Sequence, residues 1–210
     1  MGSIIVLNPS DESSLLLTSY VIKNQKKKIG IIDFNLDYSA QQIAEKFPHV
    51  DYIKYDTYSG ELPRFNENYT SKMFLKELKQ KYDMTFIIID VLGYYNYLFA
   101  RNMNLIKSIV CTYRIGIHIG RIVKKLSEKT GVLNRCFIIL KESESFSSYK
   151  NLEAMESLTD KYNCVFLLEP VTVQNTVTKL KWYGFFEDYL YDEGTTNFCN
   201  NCLAEICKAV

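Results

Sequence analysis

The chain has 210 residues, 47% of them hydrophobic, which is enough for one sizeable core and predicts one domain spanning residues 1–210. With 25 lysines and arginines against 24 aspartates and glutamates, its net charge is +1, so bulk charge gives no reason to expect binding to nucleic acid or anionic lipid. No signal-like N-terminus and no apolar run long enough to cross a bilayer is present, so we expect no transmembrane segment and a cytoplasmic protein.

The first half of the chain alternates short apolar runs with amphipathic segments. Apolar runs at 3–8, 29–33, 51–57 and 86–90 predict strands. The predicted helices are one from Asp11 to about Asn24, one carrying Ala40, Ile43, Ala44 and Phe47 and closed by Pro48, and one capped by Thr70 or Ser71 with Met73, Phe74, Leu75 and Leu78 facing inward. One glycine, one proline and two asparagines predict an irregular connection over 58–69.

The second half continues the same rhythm. Strands are predicted at 109–112, 136–140 and 164–168, and helices in part of 94–107, at 115–129, at 149–162 and from 194–196 to 210. The segment 115–129 also fits a strand at its start, because Ile115, Ile117 and Ile119 alternate. Nearly continuous apolar strands separated by helices predict a mostly parallel central sheet with helices on both faces.

The junction between the first strand and the first helix is where nucleotide-binding α/β folds usually hold phosphate. They do so with backbone N–H groups, glycines for close approach and a lysine for charge. The segment from Asn8 to Ser14 has neither glycine nor lysine, and Asp11 and Glu12 stand at its end. Their charge suits a helix N-terminus but repels phosphate.

The order of elements resembles the ParA/MinD group of P-loop ATPases along nearly the whole chain, which implies a three-layer αβα fold. Asp33 stands at the end of the second strand as in that family, with Asn35 where the family commonly has aspartate. Asp90 resembles the family's switch-II aspartate, and Gly93 follows it three residues later. Leu140 replaces an asparagine that would help to hold the base.

The departures from this family lie where its chemistry occurs. Both lysines of the family's phosphate loop are absent, and none of Ser10, Ser13 and Ser14 follows a lysine as the Mg²⁺ ligand would. We therefore predict a pseudo-ATPase with no catalytic residues and no cofactor. Its degenerate nucleotide pocket would consist of Asn8, Ser10, Asp11, Ser13, Ser14, Asp33, Asn35, Asp90 and Gly93.

Three alternatives stay open. One is an active ATPase that uses ATP and Mg²⁺ through an atypical loop. Another is a small-molecule or phosphorelay module, because acids that end strands also occur as helix caps in flavodoxin-like and receiver-like domains. The third is a Mg²⁺ site that binds no phosphate. It would use Asp33, Asn35, Asp37 and Asp90, although such side chains more often cap helices and face solvent.

The cysteines and histidines give weaker signals. Cys199, Cys202 and Cys207 suggest zinc, but a fourth ligand is lacking and helical spacing puts these thiols on one apolar face, so we predict buried, reduced cysteines. His49 and His118 are predicted to be surface residues outside any catalytic arrangement.

Two sets of residues are candidates for contact with other molecules. Tyr94, Tyr95, Tyr97 and Phe99 follow Asp90, and they either fill the empty crevice or form an interface hot spot. Arg114, His118, Arg121 and Lys125 form a basic stripe at helical spacing, which we favour as a solvated face over a nucleic-acid contact.

The resemblance implies a homodimer that forms through the aromatic set. It also implies a scaffold that recruits protein partners of a larger assembly, such as a pilus, secretion, conjugation or partition apparatus. An assembly of this kind can be associated with a membrane, which would place the protein at its periphery.

Overall fold

Seven strands and the helices around them are seen in the computed structural model, which describes residues 2–7, 12–34, 39–55, 70–89, 100–114, 121, 124, 136–141, 165–184 and 187–208. The strands are β1 (Ser3–Leu7), β2 (Ile29–Asp33), β3 (Val50–Lys54), β4 (Met84–Ile88), β5 (Ser108–Arg114), β6 (Cys136–Lys141) and β7 (Val165–Glu169). The described α-helices are α1 (Glu12–Asn24), α2 (Ser39–Ala44), α3 (Ser71–Lys81), α4 (Val171–Tyr183) and α5 (Glu193–Lys208). Short 3₁₀ segments occupy Ala100–Leu105 and Asp188–Leu190.

The sheet has the order β3-β2-β4-β1-β5-β6-β7, and every described pair is parallel. The chain winds from β1 towards β3 in its first half and towards β7 in its second, so β1 lies at the point where the winding reverses. In such folds ligands bind outside the carboxyl ends of the strands at this point. The predicted α/β fold with a parallel sheet is confirmed.

Both faces of the sheet are covered by helices, as continuous apolar strands require. On one face, Ile5 and Leu7 of β1 belong to a core that includes buried side chains of α1, α2, α4 and α5. On the other face, α3 packs against β1 and β4. Tyr82, the residue that ends α3, lies so close to Gly30 of β2 that an added Cβ would come within 2.6 Å of its ring.

Several local predictions are confirmed. Thr70 caps α3, since its Oγ1 accepts a hydrogen bond from the N–H of Met73. Phe74, Leu75 and Leu78 are buried as predicted. The prediction that Met73 faces inward was wrong. Its side chain is 44% exposed, because it precedes the buried face of α3 by one residue.

The C-terminal helix also packs on the domain as expected. Phe198, Cys199, Cys202 and Ile206 of α5 are buried in the core, at the spacing of one helix face. The described cysteines Cys111, Cys199 and Cys202 are free thiols. The buried-cysteine prediction is therefore confirmed for Cys199 and Cys202, whereas the side chain of Cys207 lies outside the description.

The sequence analysis missed α4. Its buried residues Val173, Val177 and Leu180 have helical spacing, but the segment is rich in valine and threonine, which are weak helix formers. Burial of its apolar stripe against α1 and α5 outweighs this propensity.

Some predicted boundaries were also wrong. Helix α2 ends at Ala44 rather than at Pro48, and β3 ends at Lys54 rather than at residue 57. The predicted connection 58–69 and helix 149–162 lie outside the described residues, as does most of the predicted helix 115–129, in which Arg121 and Lys124 are helical. Among the helices described, none is both long and apolar enough to span a membrane.

Candidate functional site

The first turn of α1 lies at the carboxyl-end edge of the sheet and carries Ser13. Its hydroxyl donates a hydrogen bond to Oε2 of Glu169, the last residue of β7, and both side chains are fully buried. The two residues are 156 positions apart in the chain. A predicted pocket residue is therefore bonded to a carboxyl group that the sequence analysis did not select.

Glu169 is held in place by the elements on either side of it. It shares the α1 side of β7 with Leu167, which packs against the core, because alternate strand residues face the same way. Pro170 begins α4 directly after it, and the side-chain amide of Gln174 donates to the Glu169 carbonyl at 3.2 Å. An acid that ends an apolar strand was the signal used for Asp33 and Asp90, and the same signal would have found Glu169.

Two thiols of α5 lie near the Glu169 carboxyl group. Burial, and then the charge of Glu169, raise the pKa of Cys199 to about 12. Burial also raises the pKa of Cys202, with further contributions from Cys199 and Glu169. Without a metal ion, both thiols are therefore protonated at neutral pH. Within the described ranges, no three histidine, cysteine or acidic side chains are grouped so that they could hold a metal ion.

Asp33 forms a second buried polar pair. Its Oδ2 accepts a hydrogen bond of 2.9 Å from the hydroxyl of Tyr52 on the neighbouring strand β3, and its carbonyl accepts from the N–H of Tyr55. Asp33 is almost completely buried. Its carboxyl group therefore ties β2 to β3.

The structure separates the two polar pairs. Asp33 ends β2 and Glu169 ends β7, so β4, β1, β5 and β6 lie between them. Five steps of about 4.8 Å between strands place the two ends roughly 24 Å apart. The strand ends that carry the two carboxyl groups therefore lie in opposite halves of the sheet.

The structure describes only a few of the remaining predicted site residues. Ser14 is buried within α1, where its carbonyl accepts from the hydroxyl of Thr18. Arg114 ends β5 and Arg121 is helical and exposed. The other predicted residues lie outside the described ranges, namely Asn8, Ser10, Asp11, Asn35, Asp90, Gly93, Tyr94, Tyr95, Tyr97, Phe99 and Lys125.

His49 is only half exposed, so its prediction as a surface residue was partly wrong. Its ring lies 5.6 Å from that of Phe47, edge to face, and Nε2 is 3.3 Å from the carbonyl oxygen of Ile22 in α1. These contacts pack the α2–β3 turn against α1. They give His49 a structural role.

A solved structure, that of a ParA family ATPase from Chlorobium tepidum TLS, is similar to this chain with a TM-score of 0.58, over 97% of this chain and 99% of that one. The chain has a ParA-like fold. Sequence identity to that protein is 6%, so the similarity concerns the fold alone. No protein-family model matches the chain, and no curated protein matches it. The predicted degenerate phosphate loop stays a prediction.

Proposed function

We propose that this protein is a non-catalytic ParA/MinD-like scaffold, a pseudo-ATPase that recruits or positions a larger assembly through protein contacts. The observation that carries the proposal is the buried hydrogen bond between Ser13 and Glu169. By the resemblance, the assembly is a pilus, secretion, conjugation or partition apparatus, and the protein acts as a homodimer.

The charge around α1 supports this proposal. A phosphate at the first turn of α1 would approach the Glu169 carboxylate, and two like charges about 4 Å apart near a protein surface repel by about 4 kcal/mol. The first lysine of the chain is Lys23, in the last turn of α1, so neither the loop nor the first turns supply a compensating cation. Phosphoryl transfer depends on cations that neutralise the phosphate charge and on the positioning of the reacting groups.

The position of Asp33 supports it further. In a ParA-like site this aspartate would act beside the phosphate, together with the serine of the first helix. Here its carboxyl group accepts a hydrogen bond from the hydroxyl of Tyr52 on the neighbouring strand. The described polar groups are thus used in internal contacts.

Titration with a fluorescent ATP analogue and Mg²⁺ tests the proposal. We expect no saturable binding at micromolar concentrations and no phosphate release above background. Micromolar affinity would contradict the pseudo-ATPase.

The second candidate, an active ATPase, is favoured by one finding, the ATPase activity in the name of the similar structure. It predicts steady phosphate release that disappears in Asp90→Ala. Glu45→Ala is the control, since it also removes an acid, but one that is exposed and outside every candidate site. No release above background by the wild-type protein would eliminate this candidate, and equal release by both variants would show that Asp90 is not required.

A further inference from the structure

The end of α4 and the residues that follow it expose large aromatic side chains to solvent. Trp182 is 81% exposed, Tyr183 67% and Tyr189 75%. Trp182 is the only tryptophan of the chain. Aromatic side chains of this size bury large areas in folded proteins, and exposed ones concentrate binding energy at interfaces.

The exposed aromatics belong to a segment with a biased composition, residues 182–193, which we call the acidic-aromatic segment. It contains six aromatic residues and four acids, but no lysine or arginine. The acids are Glu187, Asp188, Asp192 and Glu193. The segment therefore carries four negative charges within twelve residues, and the nearest cations before it in the chain are Lys179 and Lys181.

The segment is held to the domain at both ends. Gly184 ends α4 with a φ of 118°, a conformation that side chains disfavour, and its N–H donates to the carbonyl of Leu180. Asp192 Oδ1 accepts from the N–H of Thr195 at 2.7 Å and so caps α5. Between these points Leu190 and Tyr191 pack against the core. Helix α4 carries the rings of Trp182 and Tyr183, and Tyr189 lies in the 3₁₀ segment next to the packed Leu190, so these described positions have regular backbone, which lowers the entropy cost of binding.

The segment already holds one cation of the chain itself. The ammonium group of Lys23 lies 4.4 Å from the centroid of the Tyr191 ring, within the range of a cation–π contact. Tyr191 is in turn fixed by a contact of 2.9 Å between its hydroxyl and that of Ser19. In this contact an aromatic ring of the segment binds a lysine side chain. We expect the exposed rings of Trp182 and Tyr189, in the same segment, to bind lysine or arginine side chains in the same way.

We propose that the acidic-aromatic segment docks a basic, arginine- or lysine-rich segment of a partner protein. The partner's cations would lie over the exposed rings and pair with Glu187 and Glu193, which are both exposed. This inference rests on the proposed function, in which the protein acts through its surface, and it names the surface and the chemistry of the partner.

Charge argues against the other occupants. A second copy seated on the same surface across a two-fold axis would bring the acids of both copies together. An anionic membrane would meet the same repulsion. Lysines border the surface as well, since Lys46 Nζ and Glu187 Cγ each lie 3.8 Å from where a Cβ of Gly184 would be. Lys179 lies one turn before Tyr183.

The single tryptophan makes the test direct, because the intrinsic fluorescence of the folded protein comes mainly from Trp182. The probe is a short peptide of alternating arginine and serine, and its counterpart alternates glutamate and serine. We expect a saturable change in Trp182 emission with the basic peptide, weakened by salt, and none with the acidic one.

Variants then locate the contact. Tyr189→Ala is expected to weaken peptide binding about tenfold, and Glu187→Gln with Glu193→Gln about fivefold. Met73→Ala, an exposed apolar residue of α3 on the other face of the sheet, is the matched control and should bind like wild type. Because Tyr189 is exposed, its replacement leaves the fold intact, which circular dichroism verifies.

Four results would overturn the inference. They are no response to the basic peptide, an equal response to the acidic one, a Trp182 response that depends on protein concentration alone, and a response to phosphatidylserine vesicles. The first two remove the site, the third assigns the surface to a second copy, and the fourth assigns it to a membrane. The ATP titration is independent, so nucleotide binding with an intact peptide response would refute the pseudo-ATPase and leave the docking surface standing.

Discussion

The buried pair of Ser13 and Glu169 and the exposed acidic-aromatic segment depart from ordinary protein structure in opposite ways. In the first, a carboxyl group is fully buried at a sheet edge. In the second, large aromatic rings are left in water. Helix α4 connects them, since it begins directly after Glu169 and ends at Tyr183. One region thus forms an internal hydrogen bond at the sheet edge, while the other leaves large rings exposed at the surface.

Both features are unfavourable for an ordinary folded protein, so each calls for a structural or functional reason. Burying a carboxyl group is unfavourable unless hydrogen bonds compensate it, and exposed aromatic patches favour unwanted association. Local rules tend to be broken where a site requires it. Stability measurements on the two regions can separate an internal structural role from a role in binding.

Ser13→Ala should have the largest effect. It removes a donor from a buried carboxyl group, and we expect the free energy of unfolding in urea to fall by about 2 kcal/mol. Thr178→Ala is the control, because its hydroxyl donates to the Gln174 carbonyl on an exposed face and its loss should cost less than about 0.5 kcal/mol. Equal losses in the two variants would show that the buried pair does not stabilise the fold.

Tyr52→Phe tests the other buried pair. It removes the hydroxyl that donates to Asp33 and keeps the ring, so we expect a loss of about 1.5 kcal/mol in the same urea experiment. The double variant with Ser13→Ala should lose the sum of the two effects, since the pairs lie at opposite ends of the sheet edge. A clearly non-additive result would mean that the two pairs are coupled in one site.

Asp192→Ala tests how the acidic-aromatic segment is anchored. The backbone N–H of Thr195 is the main cause that lowers the pKa of Asp192, so its carboxylate form stabilises the fold. That stabilisation is complete above the unfolded-state pKa and is lost as the pH falls through the lowered, folded-state value. We expect the alanine variant to be about 1 kcal/mol less stable than wild type at neutral pH, and the difference to vanish in acid. Asp192→Asn should retain the cap but lose the pH dependence, and a gap that persists in acid would contradict this assignment.

Trp182→Ser should have the smallest effect on stability. Because the ring is 81% exposed, we expect a change in the free energy of unfolding below about 0.5 kcal/mol, measured by circular dichroism because the variant has no tryptophan. Leu180→Ala, two residues earlier on α4 and fully buried, is the contrasting control and should cost about 3 kcal/mol. A large loss in Trp182→Ser would assign the ring to the fold rather than to a partner.

The sequence allowed much of the fold to be predicted but little of the site. Apolar runs such as Phe86 to Ile88 mark buried strands, and Thr70 marks a helix start, because both signals lie within a few residues. Helix α4 was missed, since its propensity opposed its tertiary environment. Asp33 ends β2 as the sequence pattern predicts, but its bond to Tyr52 depends on which strand lies beside β2.

The sequence by itself determined the alternation of strands and helices, the buried faces of α3 and α5, and the absence of cationic residues before Lys23. Only the tertiary structure decided that Ser13 meets Glu169 and that Trp182 and Tyr189 stay in solvent. The physical reason is the separation along the sequence of the residues that interact. Helix and strand patterns depend on neighbours within about one or two turns, whereas a contact across 156 residues depends on the order in which seven strands assemble.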